Sequence, residues 1–364
     1  MNDIRSRSQV RQTRRRSPTM KDIADAAGVA QSTVSRILND TPALIRVSED
    51  TRERVRAIAS ELGYRPHPFA RALRGAPSML LGAVVRDITD PFFAGAIEAL
   101  SIEAKKRGYS VVLGHAHAAA DEALALTALL EARQCDALVL LGDLYDEPVL
   151  VEDLRTSHVP VVALWHGAHQ DHGFPTVAVD NRAGIRSALA HLSELGHRRI
   201  AFVGGEPLGD IRERRDAFSE YHEEAAIELP GEYLRHVANG IAGGELALTD
   251  LLALTERPTA ILAATDILAM GIIHAAYEHG VAVPTELSVV GFDDIPIAAA
   301  AVPSLTTVKM PTAKIVAAGV DLAIGERAWS WDGVREPPQL IFKPKLIVRR
   351  STAPIAKTAG PAKP

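Results

Sequence analysis

The chain has 364 residues, 47% of them hydrophobic and 23% charged, with a formal net charge of −5. That balance suits a globular protein with a sizeable core and, at roughly 100–200 residues per domain, allows two or three compact units. No apolar run reaches the roughly 18 residues of a membrane span, and no apolar segment follows the basic N-terminus as a secretory signal requires. A lone cysteine, Cys135, excludes an internal disulfide, which makes the cytoplasm the default compartment.

The net charge conceals an asymmetry. Residues 1–75 carry 15 Lys and Arg against 8 Asp and Glu, whereas the remaining 289 residues carry 25 against 37. A basic head on an acidic body points to a polyanion as the partner of the head. Residues 1–17 lack periodicity and read either as an arm for that partner or as a solvated, unstructured charge run.

Residues 18–75 hold short helical patterns and no strand pattern. Thr19 is suited to cap a first helix, with Asp22 three residues on in a box-like arrangement. Ile23 and Ala27 share a face, Gly28 ends the helix, and Val29 tucks inward. In the stretch G-V-A-Q-S-T-V-S-R-I-L-N a second helix, 31–38, buries Val34, Ile37 and Leu38, while Ala26, Ala27 and Ala30 allow a tight crossing. This is the spacing of a helix-turn-helix, and it leaves Gln31, Ser32, Ser35 and Arg36 outward, able to hydrogen-bond base edges or phosphates. A third helix, 49–62, closes at Gly63, with Tyr64 plugging the core.

D-I-A-D-A-A-G-V-A-Q-S-T-V-S-R-I-L-N, V-S-E-D-T-R-E-R-V and L-G-Y-R-P-H-P-F-A-R-A-L-R together closely resemble the DNA-binding head of the LacI/GalR family of bacterial transcriptional regulators. The resemblance implies that Gln31, Ser32 and Arg36 read bases in the major groove, and that Thr19, Thr33, Ser35, Asn39 and Thr51 hold backbone phosphates. It makes 66–74 a hinge helix that folds on DNA, with Ala70 and Leu73 at the minor groove, where a leucine wedge kinks the duplex. There are departures: Ala30 stands where many relatives have a capping Ser, His67 replaces an Asn, and the 40–47 loop is longer than in many relatives.

From residue 79 the pattern becomes alternating strands and helices. Strands are expected at 80–85, 111–113, 137–141, 161–164, 200–203, 260–263 and 289–292. Helices are expected at 92–107, 182–195 and 267–279, ending at Gly108, Gly196 and Gly280. Such alternation implies an α/β fold of parallel sheets covered on both faces, and the length suggests two similar lobes. No dinucleotide, P-loop or nucleophile-elbow fingerprint is present, so the sequence offers no cofactor and no catalytic set. Cys135 reads as a buried structural thiol. His166, His169 and His172 around Asp171, and the pair His115 and His117, read as loop histidines with metal binding as the alternative.

The body resembles the LacI/GalR effector domain, itself similar to periplasmic sugar-binding proteins, through D-I-T-D-P-F-F, V-D-N-R-A-G, H-L-S-E-L-G-H-R-R-I-A-F-V-G-G, T-D-I-L-A-M-G, S-V-V-G-F-D-D-I-P and L-T-T-V. The resemblance implies two lobes joined by three crossovers, about 78–178 plus 309–336 and 179–308 plus 337–352, with an unstructured tail at 353–364. The 18–65 head and the 66–77 hinge precede them. A ligand held beyond the strand ends would meet Asp87, Phe92, Phe93, Trp165, His166, Arg214, Thr265 and Asp293, with Arg212 and Arg215 as alternatives to Arg214. Arg and Asp beside an aromatic plate suit a polyol. Trp165-His166 replaces an acidic–basic pair, Thr265 an Asn and Ala217 a Gly common in relatives, which sets the pocket apart from lactose and purine regulators.

The expectation is therefore a homodimeric DNA-binding regulator, a repressor, that recognises a pseudo-palindromic operator and responds to a sugar-like effector without contacting a membrane. Two rivals come from other classes. A sugar-binding transport component leaves 18–75 unexplained, and an α/β enzyme with a regulatory head lacks a catalytic set.

Overall fold

The computed structural model describes residues 18–38, 47–64, 77–143, 147–167, 173–205, 209–325 and 336–355. The chain falls into two units, residues 1–78 and 79–364. Asn39, Ala70, Leu73, His169, Asp171 and His172 lie outside the described residues, as does most of the hinge.

The first unit packs α1 (Met20–Ala27), α2 (Gln31–Leu38) and α3 (Glu49–Glu61) around Ile23, Val34, Ile37 and Val55. The Thr19 hydroxyl accepts from the Asp22 N–H while the Asp22 carboxylate accepts from the Thr19 N–H, a complete capping box. Gly28 ends α1 at φ +66°, a left-handed conformation that costs glycine little. Tyr64 packs against this core as expected. Ala26 and Ala30 are exposed, contrary to their expected place at the crossing. Ala24 and Ala27, three apart and on the face of Ile23, face the core instead.

The second unit contains two six-stranded sheets. The first has the order β11-β5-β4-β3-β1-β2 and the second β12-β10-β9-β8-β6-β7. In the first, β1 (Leu80–Val85), β2 (Ser110–His115), β3 (Ala137–Leu141), β4 (Val161–Leu164), β5 (Thr176–Val179) and β11 (Gln339–Phe342) all run parallel. In the second, β6 (Ile200–Gly204), β7 (Leu234–His236), β8 (Ala260–Ala263), β9 (Ser288–Asp293) and β10 (Thr306–Lys309) are parallel, and β12 (Lys345–Ile347) is antiparallel to β10. The central strands are buried on both faces, which is why they read as unbroken apolar runs. Each fully buried Val, Leu, Ile or Phe contributes about 1.5–3 kcal/mol relative to exposure.

Between strands run α4 (Pro91–Lys106), α5 (Ala120–Ala132), α6 (Pro148–Arg155), α7 (Asn181–Glu194), α8 (Gly209–Glu224), α9 (Ile241–Leu252), α10 (Asp266–Glu278), α11 (Pro296–Ala300) and α12 (Thr312–Ile324). The chain passes between the lobes three times: from β5 into α7, from β10 into α12 and from β11 into β12. The third passage departs from the sequence reading, which gave 337–352 wholly to the second lobe. Parallel pairing of β11 with β5 holds Gln339–Phe342 in the first sheet. Residues 353–355 also depart from the unstructured tail expected there. Ala353 accepts from His197 and donates to Ser288, and Ile355 donates to the Leu195 carbonyl, which fixes residues 353–355 against the second lobe.

Candidate functional site

In the head, Gln31, Ser32 and Arg36 are exposed on α2, and Thr33 is half-buried. Ser35 is a correction in placement: it is 8% exposed, not outward as expected. Thr19 and Thr51 are both engaged in caps, Thr19 with Asp22, and Thr51 through its N–H and hydroxyl to Ser48. Ala30 supplies only its carbonyl to Thr33 and Val34, so no side chain caps α2. A helix N-terminus with open N–H groups attracts anions such as phosphate.

In the body, the carboxyl ends of both sheets converge, at the switch between β1 and β3 in one and between β6 and β8 in the other. A closed chamber lies there, with about 10 Å³ of free space, room for one water. Of the expected residues, Phe92, Phe93, Trp165, Arg214, Thr265 and Asp293 line it.

Arg214 is the inward arginine of its helix. It is 1% exposed, whereas Arg212 is exposed and Arg215 turns to Asp216. Its guanidinium donates from Nε to Asn181 at 2.9 Å and from Nη1 to the Ala264 carbonyl at 2.6 Å, and stacks over the Phe292 ring at 3.8 Å. Asp210 lies 3.5 Å away and Asp293 3.6 Å away. A buried guanidinium needs such partners to offset its desolvation. Burial pushes Asp293 well above the ordinary carboxylate range, against the opposing pull of Arg214.

Phe92 and Trp165 meet edge to face at 5.0 Å, and Phe92 meets Phe93 at 5.2 Å. Trp165 (φ +57°) and Asp293 (φ +118°) both hold backbone conformations that L-residues rarely adopt. The Trp165 indole N–H is buried and finds no hydrogen-bond partner among the described residues. A buried unpaired donor beside a chamber is a place for a ligand oxygen.

Two expected residues sit elsewhere. Asp87 does not line the chamber: it closes a tight turn on the Thr89 N–H and hydroxyl, at 2.8 and 2.6 Å, and lies 3.6 Å from His115. The chamber carboxylate on that loop is Asp90, whose Oδ1 caps α4 at the Phe92 N–H. The capping rule pointed there, since Asp precedes Pro91 at the first helical position. His166 is buried next to the chamber with Nδ1 3.3 Å from Asp143, and Asp143 accepts from the Gly209 N–H of the opposite lobe.

Sequence reasoning also missed Arg86, Asp90, Asp143, Asp210 and Asn239. Arg86 and Asp143 follow directly on β1 and just beyond β3, so the strand-end rule could have found them. Asn239 leaves no pattern. Cys135 is buried, and burial with the neighbouring Asp136 pushes its thiol up to about 11. Among the described residues no group of three metal-ligating side chains could hold a metal, and no helix is long and apolar enough to cross a membrane.

Comparison with known proteins matches residues 19–67 to bacterial regulatory proteins of the lacI family and residues 189–352 to the periplasmic binding protein-like domain. The HTH-type transcriptional regulator GalS of Salmonella typhimurium is 33% identical over 337 residues, 92% of this chain and 96% of that protein. The HTH-type transcriptional repressor PurR of Escherichia fergusonii is 33% identical over 344 residues, 92% and 97% of the two chains. Among solved structures, the lac repressor dimer bound to operator and the anti-inducer ONPF superposes with a TM-score of 0.81 at 27% identity, covering 93% of this chain and all (100%) of that one. The transcriptional regulator CelR–cellobiose complex gives 0.68 at 28% identity, covering 92% and 99%. With three helices among the described residues of the head, two parallel-sheet lobes and full-length relatives at this identity, the chain belongs to the LacI family of bacterial regulatory proteins.

Proposed function

We propose that this protein is a cytoplasmic, homodimeric repressor that binds a pseudo-palindromic operator and is controlled by a sugar-like effector held between the lobes of its second unit. One observation carries the effector half: residues of both lobes build the chamber, with Phe92 and Trp165 from the first and Arg214 and Asp293 from the second. A molecule that fills it must bind one lobe arrangement better than another, and that difference in affinity is what shifts an equilibrium.

On the DNA side, Gln31, Ser32 and Arg36 are assigned to base edges, and Thr19, Thr33, Asn39 and Thr51 to phosphates. Ser35, at 8% exposure, keeps its assignment to a phosphate on the resemblance. Ala70 and Leu73 are assigned to the minor groove, with Leu73 as the wedge. The roles of the chamber residues rest on the resemblance and on this geometry together, and those of the hinge on the resemblance alone.

The test is a selection of bound duplexes from a random pool, followed by gel shift with and without candidate saccharides. Recovery of a two-fold symmetric site whose affinity changes with a saccharide and falls steeply with salt supports the reading. Recovery of no symmetric site refutes it. Turnover of a saccharide by the purified chain would favour the enzyme alternative.

A further inference from the structure

Next to the closed chamber lies a second cavity of about 640 Å³, sharing Phe92, Asp293 and Met310 with it. The two cavities share that wall. The floor of the second is apolar, with Pro91, Ile295 and Pro311 beside the shared residues. Its rim carries Lys309, Lys314, Lys343 and Lys345.

Among the described residues the charges there do not cancel. Lys309 is paired with Asp294 at 3.1 Å, and Asp294 also holds Arg349 at 2.5 Å. Asp293 faces Arg214 in the inner chamber. Lys314, Lys343 and Lys345 have no hydrogen-bond or ion-pair partner among the described residues. Lys314 stands in the first turn of α12, at a helix end that disfavours a cation and whose Pro311 cap offers no side-chain bond. Three ammonium groups with no partner among the described residues, over an apolar floor, suit a ligand with a hydrocarbon-faced body and a negative group. The volume lies within the range of about 300–1,000 Å³ typical of small-molecule sites.

Resting on the reading above, we propose that the effector is an anionic saccharide, a sugar unit bearing a carboxylate or a phosphate. Its polyol reaches the unpaired Trp165 indole N–H once the lobes part, and its charged group docks among Lys314, Lys343 and Lys345. Lys343 lies between β11 and β12, at the third passage between lobes, and Lys345 begins β12. Lys314 opens the helix after the second passage. The anion therefore clamps two of the three connections and acts on lobe geometry directly.

The experiment is calorimetric titration of the full-length protein with matched sets: glucose, glucuronate and glucose 6-phosphate, the galactose counterparts, and inorganic phosphate alone. An anionic saccharide is expected to bind about tenfold or more tighter than its neutral parent, with the advantage shrinking as salt rises from about 0.02 to about 0.5 M. The exposed-lysine variant K314A/K343A/K345A, checked for an unchanged melting temperature, should abolish the advantage and leave neutral-sugar affinity within about twofold. Whether uronate or phosphate ranks higher identifies the anionic group. Equal affinity for neutral and anionic members, a preference retained in the triple variant, or inorganic phosphate binding as tightly as the sugar phosphate would each overturn the proposal. Tight binding of neutral sugars alone sinks this inference and leaves the proposed function standing, whereas binding of no saccharide sinks this inference and the sugar-effector half of that function, with the operator half standing on its own test.

Discussion

Across the cleft, the Asn239 side-chain amide donates to Asp90 at 3.0 Å and accepts from the Thr265 hydroxyl at 2.7 Å. Asp90 caps the first helix of one lobe and Thr265 caps a helix of the other, so the bond ties two helix starts together. Asn239→Ala leaves both partners short of a bond and is expected to cost about 1–3 kcal/mol. Asp90→Asn keeps a capping oxygen for Phe92 and removes the burial penalty that lifts this carboxyl above its ordinary range, so its loss should be smaller. Urea denaturation at neutral pH ranks the two, and the reverse order would refute the assignment.

Arg214 holds the polar floor together. Arg214→Ala takes the buried cation from Asp293 and one of two cations from Asp210, which keeps Arg86 at 3.6 Å, and is expected to destabilise by about 3–5 kcal/mol, visible as a lower melting temperature. Arg214→Lys keeps the charge but loses the flat fork that serves Asn181 and Ala264. This variant should fold, bind operator within about twofold of the parent, and lose effector response by about tenfold or more. A retained response in gel shift would exclude Arg214 from effector recognition.

Asp266 has no exposed surface. It accepts from the Ile295 N–H at 2.9 Å and from the Thr307 hydroxyl, and burial lifts it from 3.8 to about 7. The folded state therefore holds this proton more tightly than the unfolded chain does. The stabilisation is complete below pH 3.8 and is lost as pH rises through about 7. Asp266→Asn has no proton to lose, so its stability relative to the parent should rise between about pH 4 and 7, by roughly 2–4 kcal/mol. Denaturation curves across that range check the slope, and parallel pH profiles would refute it.

Gly271 lies where α9 and α10 cross. A Cβ there would stand 2.0 Å from the Ile241 carbonyl oxygen, a backbone atom with no rotamer to change. Gly271→Ala should cost about 1–3 kcal/mol or more, measured as a fall in melting temperature.

Ala30 precedes α2 without a capping side chain. Ala30→Ser should stabilise the head by about 1 kcal/mol, read as slower amide exchange at Ser32 and Thr33 in the full chain. Unchanged exchange would mean that the start of α2 is held some other way.

The buried parts of the fold were the legible parts. Strands β1, β3, β4 and β8 read as apolar runs to the residue, because both faces are covered. β5 is only T-V-A-V between Pro175 and Asp180, too short to stand out. The edge strands β7, β11 and β12 are partly exposed and carry no continuous apolar signal. Phe92, Phe93, Trp165, Arg214, Thr265 and Asp293 came together because strand ends and helix starts form the same rim in every doubly wound sheet. Asp87 failed because a turn and a cap three residues apart both attract Asp, and only Pro91 tells them apart. The outward placement of Ser35 failed because polarity does not fix direction on a two-turn helix.

The three passages between lobes bear on how such a protein can be rebuilt. Neither lobe is a continuous stretch of chain, so exchanging one lobe for that of a relative requires splices at all three passages. The head joins the rest once, between residues 78 and 79. DNA specificity can therefore be transplanted with a single junction, whereas ligand specificity has to be altered in place, side chain by side chain.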